Sequence, residues 1–253
     1  MPESEDIEFV GAGGARLAGR IQLPAGTAVG SVLMAHCFTC SKDLHTLTRL
    51  SRRLVDAGYA VARFDFTGLG DSAGDFATTS VTVNVGDLTR AAVTLIERGL
   101  GPCVLFGHSL GGAASLLAAA RLKTVSEVVV LGAPSDVGHV RALFAEAVDD
   151  IEATGRAPVS IGGRSFEIGA EFVADLEQHD VLDAARGLGR PLLVLVPGAD
   201  TVVAPEHGRA IHEAAREPKS LVVIDGADHL LSDPAHADEA ADAMLAFLAV
   251  ARA

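Results

Sequence analysis

Tryptophan is absent from this chain, and tyrosine occurs once, as Tyr59. Any pocket must be walled by aliphatic side chains and the ten phenylalanines, which disfavours the flat stacking platforms used for sugars. Basic residues are few. Twenty Lys and Arg stand against 33 Asp and Glu, a formal net charge of −13. A surface of that sign repels phosphate backbones and argues against a nucleic-acid partner. Cysteine is scarce as well. Three of them, an odd count, fit a reducing cytoplasm better than a disulfide framework. No uninterrupted apolar run is long enough to span a bilayer. The start, Met1-Pro2-Glu3-Ser4-Glu5-Asp6, has neither the basic opening nor the apolar run of a secretory signal. The expectation is a soluble cytoplasmic protein with no membrane attachment. What the chain has in plenty is apolar residues. They make up 49% of 253 positions, enough for the core of one large α/β domain spanning 1–253.

The order of elements follows from periodicity. Glu8–Val10 and Leu17–Leu23 flank a glycine-rich turn and predict an opening hairpin. Ser31–His36, Ala60–Phe66, Cys103–Phe106, Glu127–Gly132, Pro191–Val196 and Leu221–Ile224 are short, almost continuous apolar runs. Between them lie stretches with helical spacing, such as Leu44–Ala57, ended by Gly58, and Val81–Arg98. A final amphipathic helix opens at Ser232-Asp233-Pro234 and runs to about Val250. Apolar strands alternating with helices predict a mainly parallel sheet covered on both faces.

Ser109 lies in Gly107-His108-Ser109-Leu110-Gly111, between a predicted strand and an alanine-rich helix. G-x-S-x-G in that context is a nucleophile elbow, in which a sharp turn lifts the serine hydroxyl above the sheet. Helix and strand approach so closely there that the flanking positions must be small, and Gly107, Gly111 and Gly112 meet that need. Serine alone is a weak nucleophile. It needs an imidazole to take its proton and a carboxylate to orient the imidazole. Acid and histidine should follow the serine in that order, each after a later strand. Asp200 follows Pro191–Val196, and His229 follows Leu221–Ile224. Asp200 could instead cap the helix starting near Pro205, and Asp225 and Asp228 compete as acids, although their closeness to His229 suits turn formation. The expected triad is Ser109, Asp200 and His229.

The stretch from Val137 to Gly189 interrupts the alternation and is too long for a plain connection. It contains an amphipathic segment over Val140–Ile151, a small hairpin through Val159–Ile168 and a helical stretch over Glu171–Arg186. An insertion there, on the edge that holds the triad, is placed to act as a cap or lid.

With these motifs in place the chain resembles the α/β-hydrolase superfamily from end to end. Asp65-Phe66-Thr67-Gly68-Leu69-Gly70-Asp71-Ser72 looks like that superfamily's D-x-x-G-x-G-x-S turn. His36-Cys37-Phe38 stands where many members have His-Gly before an oxyanion-binding amide. The run Ala35–Asp43, followed by Arg63–Gly70, resembles one branch in which the hydrolase is fused to, or encoded with, an OsmC-like domain. That resemblance implies an OsmC-like partner protein. It also implies an oxyanion hole made by the backbone N–H groups of Leu110 and Phe38.

Cys37 and Cys40 form a C-x-x-C. In isolation this can mean thiol redox exchange or half of a zinc site. No second C-x-x-C exists, and four ligands from one tight loop, even with His36 and His45 nearby, are sterically unfavourable, so no metal is expected. The two cysteines are read as small residues packed around the oxyanion loop.

Taken together, the sequence predicts a cofactor-independent serine carboxylesterase acting on a small-molecule acyl substrate. Amidase or peptidase action, acyl transfer and perhydrolase chemistry remain open on the same triad. A thiol redox partner using Cys37 and Cys40, or a silent interaction module, is the alternative from another class.

Overall fold

The computed structural model describes residues 3–101 and 103–251; Met1 and Pro2 of the acidic N-terminal stretch lie outside these. In chain order the elements are β1 (Glu3–Val10), β2 (Arg16–Leu23), β3 (Gly30–Ala35), α1 (His45–Asp56), β4 (Tyr59–Phe64), α2 (Val81–Glu97), β5 (Cys103–His108), α3 (Leu110–Ala119), β6 (Val125–Leu131), α4 (Val148–Thr154), β7 (Arg156–Ile161), β8 (Arg164–Gly169), α5 (Ala170–Asp175), α6 (Val181–Arg186), β9 (Leu192–Pro197), α7 (Pro205–Ala214), β10 (Lys219–Ile224) and α8 (Pro234–Ala251). Eight of these strands form one sheet in the order β1-β2-β4-β3-β5-β6-β9-β10. β2 pairs antiparallel with β1 and β4; all other neighbours are parallel.

The continuous apolar runs have a simple geometric reason. Successive side chains point to opposite faces of a strand, and here both faces are covered. On β5, Cys103 and Leu105 join one core while Val104 and Phe106 join the other. β6 divides in the same way, with Val128 and Val130 opposite Val129 and Leu131, as does β9, with Leu192, Val194 and Val196 opposite Leu193 and Leu195. Leu47, Leu50 and Leu54 of α1, with Met244 and Leu248 of α8, close one face. Leu88, Leu95 and Leu116 of α2 and α3, with Ile211 of α7, close the other. Burying each of these side chains contributes roughly 1.5–3 kcal/mol relative to exposure. α1 stops where Gly58, at φ 94°, takes the left-handed conformation that reverses the chain into β4.

The parallel strands all point their C-terminal ends the same way, so the loops after β3, β5, β6, β9 and β10 gather along one edge of the sheet. The 137–189 insertion leaves from β6 and returns to β9, which are direct neighbours. Its predicted hairpin is present as β7 and β8, paired from Arg156↔Gly169 to Ile161↔Arg164. The amphipathic and helical stretches of the insertion are each broken up. Val137–Ala147 coils as 3-10 turns with a break at Phe144 (φ −139°), and only Val148–Thr154 is α-helical. The stretch 171–186 divides into α5, a short 3-10 turn at Leu176–Gln178 and α6, with His179 extended between them. Polar side chains impose that division. Asp175 accepts from the Thr82 backbone N–H (2.8 Å), and Asp180 restarts the helix by accepting from the Asp183 N–H (2.8 Å).

The D-x-x-G-x-G-x-S turn is structural. Gly68 and Gly70 have φ of 74° and 54°, and a Cβ on Gly70 would lie 2.3 Å from the Asp65 carboxylate. Asp65 is fully buried and accepts from the Lys42 N–H (2.6 Å), Lys42 Nζ (2.7 Å) and the Asp71 N–H (2.9 Å). Ser72 Oγ donates to the Asp65 carbonyl (2.6 Å) and accepts from the Ala18 N–H (2.9 Å). This network anchors the base of the loop that follows β3.

Candidate active site

β5 ends at His108, and α3 begins at Leu110. Ser109, between them, has φ 56° and ψ −126°, a conformation that costs a non-glycine residue about 1–3 kcal/mol. The surrounding packing enforces it. A Cβ on Gly107 would meet the Gly111 carbonyl at 2.2 Å, and one on Gly111 would meet the His36 carbonyl at 2.4 Å. The strained serine and the small residues around it are therefore one feature, as the elbow motif requires.

Asp200 and His229 arrive from the next two strand ends. His229 Nδ1 donates to Asp200 Oδ2 at 2.7 Å. Asp200 Oδ1 accepts from the backbone N–H groups of Val202 and Val203, both at 2.8 Å, which fixes the carboxylate plane. Ser109, Asp200 and His229 are 8, 6 and 8% exposed, a partly dehydrated setting that strengthens charge interactions. The competing acids are elsewhere. Asp225 and Asp228 are exposed, and Asp228 Oδ1 accepts from the Ser232 N–H (2.8 Å) as a turn former. Gly132, at the end of β6, has φ 53°. A Cβ there would sit 3.3 Å from Asp200 Oδ2 and 3.4 Å from His229 Nδ1, so the acid–base pair rests directly on this glycine.

His108 links serine and histidine. Its ring lies 4.9 Å from that of His229, and its Nε2 donates to the His229 carbonyl at 2.8 Å. Nδ1 is then an acceptor, and it has no protein partner. Burial, with a smaller push from the neighbouring His229, holds the His108 pKa down at about 3, so the ring is neutral at ordinary pH. His36 is also buried. The Phe66 N–H donates to its Nε2 (3.2 Å), so Nδ1 carries the proton and donates to the Cys37 carbonyl (2.8 Å). Burial lowers its pKa too. The sequence signals the place of His36 but not the role of His108, which is simply the variable position of the elbow motif.

The expected oxyanion donors occupy different settings. Leu110 is the first residue of α3, where backbone N–H groups lack intrahelical partners. Phe38 lies in the turn 37–40, which follows directly on Ala35 and His36, the residues whose carbonyls Gly111 of the elbow approaches. The reading of Cys37 and Cys40 as two free packing residues is corrected, because they form a disulfide. The turn itself makes the bond feasible. Cys40 N–H donates to the Cys37 carbonyl (3.1 Å), and the two Cα atoms stand 5.3 Å apart, within disulfide range. Cys103 remains free and buried, its thiol pushed up by burial to about 11. Among the described residues no group of three or more His, Cys, Asp and Glu is arranged to hold a metal ion, and no helix is long and apolar enough to cross a membrane.

Aromatic side chains from the insertion meet the loop after β3. Phe38 stacks on Phe172 (5.2 Å) and lies against Phe76 (5.6 Å), which touches Phe166 (5.4 Å). On the opposite side, His139 Nε2 donates to the Val202 carbonyl (2.5 Å), tying the insertion to the Asp200 loop.

Known proteins share this architecture. The esterase domain of a Rhodothermus marinus protein superposes with a TM-score of 0.79 at 40% identity, covering 97% of each chain. The uncharacterized protein YfhR of Escherichia coli strain K12 is 26% identical over 235 residues, 90% of this chain and 74% of that protein. The mitochondrial palmitoyl-protein thioesterase ABHD10 of mouse is 27% identical over 186 residues, 70% of this chain and 61% of that protein. The alpha/beta hydrolase family matches residues 32–243, and the chain belongs to that family.

Proposed function

We propose that this protein is a serine carboxylesterase that cleaves small to medium acyl esters through an acyl-enzyme. The observation that carries the reading is Ser109 held at positive φ on the elbow, next in the chain to His108, whose ring binds the His229 carbonyl at 2.8 Å, with His229 itself bonded to Asp200 at 2.7 Å. Ser109 Oγ attacks the ester carbonyl while His229 Nε2 takes its proton and passes it to the departing alcohol. His229 then activates water for deacylation. Asp200, held by two backbone amides, keeps His229 in the tautomer with Nδ1 protonated and stabilises the imidazolium that forms. The backbone N–H groups of Leu110 and Phe38 receive the oxyanion, in a site dry enough to make each donor effective. The 137–189 insertion acts as the cap, and Phe172 and Phe144, 6.2 Å apart, form part of an apolar acyl wall. The 40% identity to an esterase domain supports ester rather than amide hydrolysis. The run Ala35–Asp43 supports placement in the branch associated with an OsmC-like partner.

Labelling with a fluorophosphonate probe tests the reading. Modification should map to Ser109, and Ser109→Ala should abolish both labelling and p-nitrophenyl ester hydrolysis. A purified protein that neither labels nor hydrolyses any acyl ester would refute it.

A further inference from the structure

The disulfide encloses Phe38 and Thr39, the tip of the loop that follows β3. Thr39 has φ 62°. A β-branched residue in the left-handed region is a rare conformer and persists only where the surroundings impose it. Three constraints impose it here. One is the disulfide. The second is the Cys40 N–H to Cys37 carbonyl bond at 3.1 Å. The third comes from the insertion: Arg164 Nη1, on the β7–β8 hairpin, donates to the Thr39 carbonyl at 2.9 Å. The Arg164 guanidinium also lies 5.0 Å over the Phe166 ring, and Phe166 packs on Phe76, which packs on Phe38. Loop tip and insertion therefore form a closed circuit, and the covalent link sits at its strained point. Below the tip, the Asp65–Lys42 network holds the loop base fixed. Motion released by breaking the link therefore falls on residues 37–40 and, through Arg164 and the Phe166–Phe76–Phe38 contacts, on the β7–β8 hairpin.

We infer that the Cys37–Cys40 pair is a reversible modification site, at which a dithiol reductant switches the ester hydrolysis proposed above from a high to a low rate. The inference rests on the serine-hydrolase reading for its consequence. Cys40 is half-buried while Cys37 is 5% exposed, so Cys40, the more exposed partner, is taken as the point of attack. A thiolate of the dithiol attacks Cys40 Sγ, forming a mixed disulfide. The Cys37–Cys40 bond breaks, and Cys37 leaves as a thiolate that takes up a proton. The second thiolate of the reductant then attacks the reductant's own sulfur in the mixed disulfide. That releases Cys40 as a thiolate, likewise protonated, and leaves the reductant as its cyclic disulfide. Two electrons pass from the dithiol to the protein. In the reduced form Thr39 can leave the left-handed region, and the Phe38 amide turns with it. Complete loss of one oxyanion donor costs about 10²–10³ in kcat. Arg164 still restrains the freed tip, so the expected fall is about 10- to 100-fold in kcat, with KM changed by less than about threefold.

The test compares the full chain in oxidised form and after incubation with dithiothreitol. Iodoacetamide trapping in denaturant, read by mass, should count one thiol, Cys103, before reduction and three after it. Hydrolysis of p-nitrophenyl acetate should fall with the appearance of those thiols and recover on reoxidation with diamide. The double variant Cys37→Ser/Cys40→Ser should hydrolyse at the reduced rate and ignore dithiothreitol. Hydrogen exchange gives a readout independent of catalysis, with amides of 37–40 and 156–169 exchanging faster after reduction. Equal kcat in the two forms, or a double variant that still responds to dithiothreitol, overturns the inference. If neither form hydrolyses esters or takes a fluorophosphonate label, the hydrolase reading falls by itself. Exchange then decides the switch: acceleration at 37–40 and 156–169 supports it, and unchanged exchange overturns it.

Discussion

Replacing His108 by glutamine should flatten the acid side of the protein's stability profile. In the unfolded chain the imidazole takes up a proton near pH 6.5, whereas in the fold burial beside His229 delays that to about pH 3. Between those values the unfolded state binds one more proton than the native state. Stability therefore rises with pH there and is lost on acidification, at about 1.4 kcal/mol per pH unit. Integrating from pH 7 to pH 5 gives a loss of about 2 kcal/mol from this one ring. The groups facing His108 are His229, Asp200 and His36, and all three remain in the variant. A glutamine amide can still donate toward the His229 carbonyl that His108 Nε2 now serves. Urea unfolding of both proteins at pH 7 and pH 5 isolates the effect, because every other acid-sensitive group cancels in the difference. The parent should lose about 2 kcal/mol more than the variant. Equal losses, within about 0.5 kcal/mol, would refute the buried neutral histidine.

Ser109→Ala should lower ester hydrolysis about a million-fold, the scale of removing a triad nucleophile, with an unchanged circular dichroism spectrum. Asp200→Asn should reduce kcat by about 10⁴, since the amide offers His229 the wrong partner. Asp225→Asn and Asp228→Asn, on exposed turn residues, should stay within about threefold, and steady-state kinetics on all three orders them. Phe172→Ala should shift relative rates across a series of p-nitrophenyl esters of increasing acyl length. It should also cost about 3–5 kcal/mol of stability, because the ring is fully buried against Phe38; an unchanged selectivity profile would place the insertion's aromatic wall outside the acyl path.

The sheet was legible because its strands are buried on both faces. β5, β6 and β9 read as unbroken apolar runs for that reason. The positions of Ser109, Asp200 and His229 were legible because each follows the end of a strand, β5, β9 and β10. The insertion was less legible. Its helical periodicity is real, but Asp175 and Asp180 redirect the backbone through side-chain hydrogen bonds that leave no periodic trace. The partners of the loop after β3 were invisible for another reason. Arg164 meets Thr39 across 125 positions, and Gly132 lies under the Asp200–His229 pair through tertiary packing alone. Cysteine count misled. An odd total says nothing about two residues three apart, where a single turn brings the Cα atoms within bonding range.

The insertion's two roots have a practical meaning. It departs from β6 and rejoins at β9, strands already hydrogen-bonded to each other from Val128↔Leu192 to Leu131↔Leu195. Segments entering and leaving at adjacent points can be exchanged without disturbing the register of what lies beneath. Ser109, Asp200 and His229 all lie outside the 137–189 span. The chain is thus divided like a tool with an interchangeable head. If the proposed esterase reading holds, grafting another connection between β6 and β9 should change acyl preference on an unaltered sheet, given a graft that supplies its own partner for the Thr39 carbonyl in place of Arg164.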